Sequence, residues 1–186
     1  MQQIDQTVLF FLNGLRHQFF DVFFWYATDM VYYLPLYIIA TWLAYKQFGK
    51  RIWLLLLFVI LTVLLTDQIC DFLKQTICRL RPTHNPEIAS LVHTVNGYRG
   101  EIYGFPSAHA CNTFGMAVFL YRAVRPKRLG FTLALFTWAA LMSYSRIYLG
   151  VHYLSDILCG ATLGASIGLG TSTVVRKITS KNHTET

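Results

Sequence analysis

The chain has 186 residues and a formal net charge of +7, and 54% of its residues are hydrophobic while only 13% are charged. Because a soluble domain carries about 25% charged residues, this composition excludes a disordered chain or a coiled coil and argues against a soluble fold. The basic excess is typical of membrane-protein topology, so we do not expect nucleic-acid binding. We expect a single domain over residues 1–186.

The first element, residues 4–26, carries apolar side chains at helical spacing and polar side chains mostly on the opposite side. This pattern predicts an amphipathic helix within residues 1–26 that lies in the membrane interface. A sixth spanning helix is the alternative, although polar groups at mid-depth of a bilayer are costly. Residues 1–7 lack lysine and arginine, so we expect no cleavable signal peptide. The polar side holds Asp5, Asn13, Arg16, His17 and Asp21.

Five later segments are apolar and close to the roughly 20 residues that a helix needs to cross a bilayer. They cover residues 27–45, 52–73, 107–122, 129–147 and 153–175. The sequence therefore predicts an all-α membrane protein with five transmembrane helices, or six if residues 4–26 also span. The bundle would extend over residues 27–175. In its last segment Gly160, Gly164 and Gly168 recur every four residues, which predicts a close helix–helix contact.

Basic residues cluster in three regions that five crossings place on one side of the membrane. The positive-inside rule makes this side cytoplasmic and makes residues 176–186 a cytoplasmic tail. The N-terminus, the 74–106 loop and the 147–152 turn then face the opposite side. The three clusters comprise Lys46, Lys50 and Arg51; Arg122, Arg125, Lys127 and Arg128; and Arg176, Lys177 and Lys181.

Four cysteines are present, and none forms a CxxC pair. We therefore expect neither a metal site nor a native disulfide. Three of the four lie in or beside apolar segments, where a cysteine behaves as a small apolar residue. They are Cys70, Cys78, Cys111 and Cys159, of which Cys78 lies in a polar segment.

Three polar segments, 74–82, 106–109 and 145–156, fall at helix ends on the non-cytoplasmic side although they are far apart in sequence. Their cations suit a phosphoryl group, because arginine offers paired donors and a helix start favours an anion. A serine hydroxyl at the helix start adds another donor. The candidate phosphate-binding groups are Lys74, Arg81, Ser107, the backbone N–H of Ala108, and Arg146.

A histidine and a carboxylate in the third segment form a candidate catalytic pair. His152 and Asp156 are four residues apart and so lie on one helical face. A carboxylate that holds one imidazole nitrogen fixes the tautomer and raises the basicity of the other nitrogen. His152 is therefore the candidate nucleophile, and His109 is free to act as a general acid.

Structural interpretations compete with this functional one. Lys74 and Arg81 could anchor lipid headgroups. Asp67 and Asp71 could pair with Lys74 or satisfy other polar groups. We expect His84 and His93 to be solvated or to stabilise the loop.

The three segments resemble the motifs of the type 2 phosphatidic acid phosphatase family of integral membrane lipid phosphatases. The family pattern K-x6-R-P, P-S-G-H and S-R-x5-H-x3-D matches 74–82, 106–109 and 145–156, with Ala108 in place of the usual glycine. The resemblance implies a metal-independent reaction without a cofactor. In that reaction His152 forms a phosphohistidine, Asp156 orients His152, and His109 protonates the leaving oxygen.

The resemblance also implies a membrane lipid as substrate and a bacterial inner membrane location, with the active site on the periplasmic side. Polar groups in the 83–105 loop favour lipid A phosphate among the family's substrates. Undecaprenyl diphosphate, phosphatidylglycerophosphate and transfer of phosphate to another lipid remain alternatives. A non-catalytic lipid transporter is a remote one, and the oligomeric state is left open.

Overall fold

The computed structural model describes residues 2–27, 34–124 and 129–181. Predictions for residues 28–33, for the basic residues at 125–128 and for residues 182–186 fall outside these ranges. Within them the only strand-like pairing is a single antiparallel bridge between Leu80 and Tyr103. The described α-helices are α1 (Gln2–Asn13), α2 (Gln18–Ala27), α3 (Leu34–Phe48), α4 (Ile52–Ile77), α5 (Ala108–Ala123), α6 (Leu129–Tyr148) and α7 (Leu154–Lys181).

Helices α3–α7 correspond to the five segments predicted to cross the membrane. Two described stretches, Tyr37–Ile77 and Leu154–Thr179, are long and apolar enough to do so by length and composition. The first stretch runs through α3, a 3₁₀ turn at Gly49–Arg51, and α4. Large apolar side chains such as Trp42, Trp53 and Ile60 point outward from it and are more than half exposed. A bilayer would cover such a surface, and the number of crossings stays a prediction.

Helix α5 lies at the centre of the bundle. Its buried side chains Met116, Phe119 and Leu120 pack in one apolar cluster with residues of α3, α4, α6 and α7. This position explains why α5 is short of charged residues between its two ends, since each face meets another helix. It also places the N-terminus of α5 among the ends of its neighbours, where the predicted site residues lie.

The glycines of α7 allow α5 and α7 to pack backbone against backbone. A methyl group on Gly160 would meet the carbonyl oxygen of Ser107, and one on Gly164 would meet that of Cys111. One turn further, Gly168 lies in the same way against Gly115. The predicted close helix contact is therefore confirmed, and it determines how far the start of α5 lies from the start of α7.

Replacing Gly164 with alanine should destabilise the protein by about 1–3 kcal/mol, because overpacking must push the two helices apart. The added carbon would lie 2.9 Å from the Cα of Cys111 and closer still to its carbonyl. Gly170→Ala is the matched control, because nothing lies within 4 Å of a carbon added there. Thermal unfolding in detergent measures both variants. An equal midpoint for the two would contradict the packing argument.

The three basic regions have described parts at one end of the bundle. The Gln47 side chain, just before the α3–α4 turn, donates to the carbonyl of Ala123 at the end of α5 (3.2 Å). Val175, beside the basic end of α7, packs in the same cluster as Ala123 and Val124. The predicted common side of these basic residues is therefore consistent with the contacts between the described helices.

The N-terminal prediction needs a correction, because one continuous amphipathic helix is replaced by two shorter ones. Helix α1 ends at Asn13 and α2 begins at Gln18, with Gly14 at the break. Helices of 12 and 10 residues are each too short to cross a bilayer, which takes about 20 residues. The exposed side chains of Phe11, Phe19 and their apolar neighbours still suit a membrane surface.

Part of the polar side of this segment faces the protein, while its arginine and histidine are exposed. Asp5 and Asn13 are each only 2% exposed. The Asn13 amide donates to the carbonyls of His93 (2.9 Å) and Tyr148 (2.7 Å) and accepts from the N–H of His93 (2.8 Å). The carboxylate of Asp21 accepts from the hydroxyl of Tyr148 (2.6 Å). The polar residues thus attach α1 and α2 to the loop and to the end of α6.

Candidate active site

The first motif passes from the end of α4 into an extended segment that pairs with the chain just before α5. Cys78 closes α4 in the left-handed conformation, and its N–H donates to the carbonyl of Lys74 (3.0 Å). The N–H of Arg81 then donates to the carbonyl of Ile102 (3.0 Å), and the N–H of Gly104 donates to the carbonyl of Arg79 (2.9 Å). This pairing directs the side chain of Arg81 inward.

The third motif begins in the last turn of α6 and reverses within four residues. The carbonyl of Arg146 accepts from the N–H groups of Val151 (3.0 Å) and His152 (3.3 Å). Gly150 makes this turn possible with a φ of 72°, a conformation in which side chains are strained. A side chain there would also meet Val92 and the carbonyl of His93. The turn therefore places His152 beside Arg146.

The second motif starts α5 and is bonded to the start of α7. Ser107 is fully buried and caps α5, with its hydroxyl accepting from the N–H of Ala110. Its own N–H donates to the carbonyl of Asp156 (3.0 Å). The next two N–H groups, those of Ala108 and His109, belong to the first turn, where a helix provides no acceptor. Together with the close α5–α7 contact, these bonds bring the second and third motifs together.

His152 lies between a carboxylate and a guanidinium. Its Nδ1 is 3.4 Å from Oδ2 of Asp156, and its Nε2 is 3.1 Å from Nη1 of Arg81. A guanidinium can only donate, so Nε2 carries the lone pair and the ring proton lies on Nδ1, facing Asp156. The ring is almost completely buried. The structure therefore presents the neutral tautomer that a nucleophilic Nε2 needs.

Cations lie around the buried ring of His152. Burial, together with the positive charges of Arg81, Arg146 and Lys74, holds the pKa of His152 well below its ordinary value of 6.5. The ring of His109, in the first turn of α5, is within electrostatic range of the same three cations and of His152. All the residues predicted as catalytic or phosphate-binding therefore lie in one place, at the end of the bundle opposite the α3–α4 turn.

A carboxylate closes the cation cluster. Oε2 of Glu101 lies 3.6 Å from Nζ of Lys74 and 3.6 Å from Nη2 of Arg81, and the Glu101 side chain is 75% exposed. The other bonds of Arg81 go inward, from Nε to the carbonyl of Tyr103 (3.2 Å) and from Nη1 to that of Val151 (3.4 Å). One exposed anion thus lies against two of the candidate phosphate ligands, where an incoming phosphate could replace it.

The competing structural interpretations hold for four residues outside this cluster. Asp71 pairs with Lys74 (3.0 Å), while Asp67 accepts from the amide of Asn112 (2.6 Å). His93 bonds to Asp21 (3.1 Å), and Nδ1 of His84 contacts the hydroxyl of Thr83 (3.3 Å). Among the cysteines Cys78 is exposed, while Cys70 and Cys111 are buried.

Sequence reasoning missed three residues that contact Asp156, the candidate catalytic carboxylate, or its neighbours. Nη1 of Arg79 lies 2.5 Å from Oδ1 of Asp156 and 2.6 Å from the hydroxyl of Ser155, and Nη2 lies 2.7 Å from Oδ2 of Asp5. Arg79 could have been noticed as a second arginine within the first motif. Asp5 could not, because its partners Arg79 and Ser155 are 74 and 150 positions away in sequence.

Comparison with known proteins identifies a family and two relatives of this chain. The family model described as PAP2 superfamily matches residues 51–180. A lipid A 4'-phosphatase of Bacteroides thetaiotaomicron is 38% identical over 100% of this chain and 83% of its own length. A second lipid A 4'-phosphatase, from Porphyromonas gingivalis, is 35% identical over 89% of this chain and 70% of its own.

Two solved structures share the fold. The crystal structure of Aquifex aeolicus LpxE superposes with a TM-score of 0.66 at 25% identity and covers 90% of this chain and 94% of that one. A transmembrane PAP2-type phosphatidylglycerolphosphate phosphatase from Bacillus subtilis superposes with a TM-score of 0.68 at 24% identity, covering 97% of this chain and 86% of that one. The second likeness concerns the fold alone.

Proposed function

Because the chain belongs to the PAP2 superfamily, we propose that it removes a phosphate from lipid A through a phosphohistidine formed on His152. The family and the relatives make it a membrane lipid phosphatase. The observation that carries the mechanism is the donor–acceptor arrangement at His152, in which Arg81 faces Nε2 and Asp156 faces Nδ1. A buried imidazole that presents a lone pair to a cluster of cations suits attack on a phosphoryl group.

In the first step Nε2 of His152 attacks phosphorus, so that a P–N bond forms while the P–O bond to the lipid breaks. The leaving oxygen takes a proton from His109 at the open start of α5, where the negative charge of the bound phosphate offsets the cations that oppose protonation of this ring. As the ring becomes positively charged, the contact between Nδ1 and Asp156, now 3.4 Å long, can tighten to a charged hydrogen bond. For this attack Arg81 turns its N–H from Nε2 to a phosphoryl oxygen, because the lone pair cannot accept that bond and bind phosphorus at once.

In the second step a water molecule attacks the phosphohistidine. His109, now neutral, accepts a proton from that water, the P–N bond breaks, and Nε2 regains its lone pair. The products are inorganic phosphate and the lipid hydroxyl, and both histidines return to their starting protonation. Apart from the lipid substrate and water, only side chains of this protein take part in the two steps.

The negative charge that develops on the phosphoryl oxygens is stabilised by donors fixed before the reaction, and in many enzymes such stabilisation contributes more to the rate than any other effect. Lys74, Arg81 and Arg146 supply positive charge, and the N–H of Ala108 points out of the helix start. Ser107 accepts from Ala110 with its oxygen, which leaves its hydroxyl proton available. In the free protein Glu101 neutralises two of these cations, and the substrate phosphate replaces it.

The site lies at the membrane end opposite the basic connections. Residues Lys46, Lys50, Arg51 and Arg122 belong to the other end, which the positive-inside rule assigns to the cytoplasm. In a bacterial inner membrane this orientation makes the active site periplasmic, at the level of the outer-leaflet headgroups. A substrate whose phosphate lies at that depth can reach the cations while its acyl chains stay in lipid.

The preference for lipid A rests on the relatives more than on the loop at 83–105. Two polar residues of this loop, His93 and Arg99, bond within the protein and are not free to contact a substrate. His93 contacts Asp21 (3.1 Å), and Arg99 donates from Nε to the carbonyl of Thr83 (3.0 Å). Both lipid A 4'-phosphatases match most of this chain at 35–38% identity, which favours the same substrate class here.

Phosphate release by the purified protein in detergent, with a chelator present, tests the proposed function. The substrates are lipid A, undecaprenyl diphosphate, phosphatidylglycerophosphate and phosphatidic acid, and lipid A should show the highest kcat/KM. Mass spectrometry of the product locates the phosphate that was removed, and labelled phosphate shows whether it goes to water or to an acceptor lipid. Release from phosphatidic acid alone would reject lipid A as substrate.

His152 should be neutral, with its proton on Nδ1, throughout the range from about pH 6 to 8 in which an ordinary histidine titrates. A lowered pKa means that protonation begins only at more acidic pH. The groups facing the ring are Arg81, Arg146, Lys74, His109 and Asp156. Nitrogen NMR of ¹⁵N-histidine-labelled protein checks this, with the signals assigned from their loss in His152→Asn. A His152 signal that titrates near pH 6.5 would contradict it.

A further inference from the structure

Arg79 forms a bridge between the catalytic carboxylate and the N-terminal helix. Its Nη1 lies 2.5 Å from Oδ1 of Asp156, and its Nη2 lies 2.7 Å from Oδ2 of Asp5. The two carboxylates are 1% and 3% exposed, whereas the Arg79 side chain is 26% exposed. The guanidinium carbon also lies 4.4 Å from the centre of the Tyr153 ring, which holds the guanidinium in place.

Asp5 is held as an ion. Its Oδ1 accepts from the N–H of Ser155 (2.9 Å), and its Oδ2 accepts from the hydroxyl of the same residue (2.5 Å) and from Arg79. Burial raises the pKa of Asp5, but the hydrogen bonds from Ser155 and Arg79 together bring it below its ordinary value. A charged residue 150 positions away in sequence is therefore built into the start of α7.

The net charge of Arg79, Asp156 and Asp5 matters for the positive charge that develops on His152. Arg79 and Asp156 alone would form a neutral pair, and a neutral pair does little to stabilise the positive ring of a phosphohistidine. With Asp5 present, the three groups carry a net charge of −1 when both carboxylates are ionised, the state in which both pair with Arg79. Asp156 keeps one oxygen, Oδ2, directed to His152 while Arg79 and the N–H of Tyr153 (2.9 Å) hold the carboxylate in position.

We infer that Asp5 and Arg79 are positioning residues for the reaction, through which α1 orients Asp156 and keeps the group beside His152 negatively charged. This inference rests on the proposed function, because it assigns a role within the phosphohistidine mechanism. It makes α1 a part of the active site in addition to a membrane-surface element. Neither residue contacts the substrate.

The test is a double-mutant cycle with Asp5→Asn and Arg79→Gln. Asp5→Asn leaves Arg79 and Asp156 with zero net charge and should lower kcat roughly tenfold to a hundredfold, as loss of an outer hydrogen-bond partner does, with little change in KM. Arg79→Gln leaves two buried carboxylates without their cation and should lower kcat as well. The double variant again carries one negative charge, on Asp156, and should be more active than either single variant.

If the two residues had only a structural role, the kcat of the double variant would be no higher than that of the less active single variant. That outcome, or a kcat for Asp5→Asn equal to that of the wild type, would overturn the inference. Asp21→Asn is the matched control, because Asp21 is another hydrogen-bonded carboxylate of the N-terminal pair of helices that does not contact Arg79. Its kcat should stay near the wild-type value.

Two further measurements keep the test decisive. Thermal unfolding shows whether Asp5→Asn is folded. If it is not, Arg79→Lys is tested in its place, since lysine keeps the positive charge but cannot bridge both carboxylates. Its kcat should fall without a rise in KM. The cycle is also measured on vanadate affinity, which depends on Nε2 of His152 and needs no turnover. Wild-type protein that hydrolyses no lipid refutes the proposed function, whereas additive vanadate affinities refute the positioning role of Asp5 and Arg79.

Discussion

Replacing His152 with alanine should lower kcat for phosphate release by about 10⁴-fold or more, because the variant lacks the atom to which phosphorus is transferred. The ring is buried between Arg81 and Asp156, and the neighbouring histidine, His109, lies in the first turn of a different helix. Rapid quenching with ³²P-labelled lipid A should leave label on wild-type protein, stable in alkali and lost in acid. The variant should retain none.

His84→Ala is the matched control for this experiment, since it removes another imidazole from the same end of the molecule. The His84 ring contacts the hydroxyl of Thr83 and has no part in the proposed chemistry, so its kcat and labelling should match the wild type. His152→Asn repeats the test with less loss of buried volume. Label that remains on protein lacking His152 would show that another residue receives the phosphate.

Much of this site could be predicted from the sequence, because its chemistry is carried by residue types at short, fixed spacings. His152 and Asp156 are four positions apart, with His152 just before α7 and Asp156 in its first turn, and Ser107 caps the helix that presents His109. The side of the membrane on which the candidate site lies was predicted from the basic connections between helices. The described parts of these connections share one end of the bundle. The glycine spacing of α7 likewise predicted the contact that brings the motifs together.

The N-terminal segment could not be predicted in the same way, because periodicity shows which residues share a face and not what that face meets. Asp5 and Asn13 fell on a polar side that water or protein could equally cover. Their partners, Arg79, Ser155 and the carbonyls of His93 and Tyr148, are 74 to 150 positions away. Only the tertiary fold shows that these bonds exist.

Replacing Asp156 with asparagine should lower kcat by about 10⁴-fold, as occurs when a buried carboxylate that holds a catalytic histidine is neutralised. Both oxygens of Asp156 accept hydrogen bonds, Oδ1 from Arg79 (2.5 Å) and Oδ2 from the N–H of Tyr153 (2.9 Å). The amide NH₂ of asparagine must face either Arg79, in the position of Oδ1, or both the N–H of Tyr153 and His152, in the position of Oδ2. If the oxygen stays with Arg79, the NH₂ faces Nδ1 and forces the ring proton onto Nε2, so the lone pair that attacks phosphorus is lost.

Nitrogen NMR separates this tautomer change from a loss of folding, because it reports which nitrogen of His152 carries the proton while unfolding is followed independently. The variant should bind vanadate weakly and show the proton on Nε2. Asp67→Asn is the control. Asp67 is also a hydrogen-bonded carboxylate of the bundle, bonded to Asn112 (2.6 Å), but it has no role in the proposed mechanism. A variant at 156 that keeps Nδ1 protonated but is inactive would mean that Asp156 acts through its charge alone, because the ring would already be in the attacking tautomer.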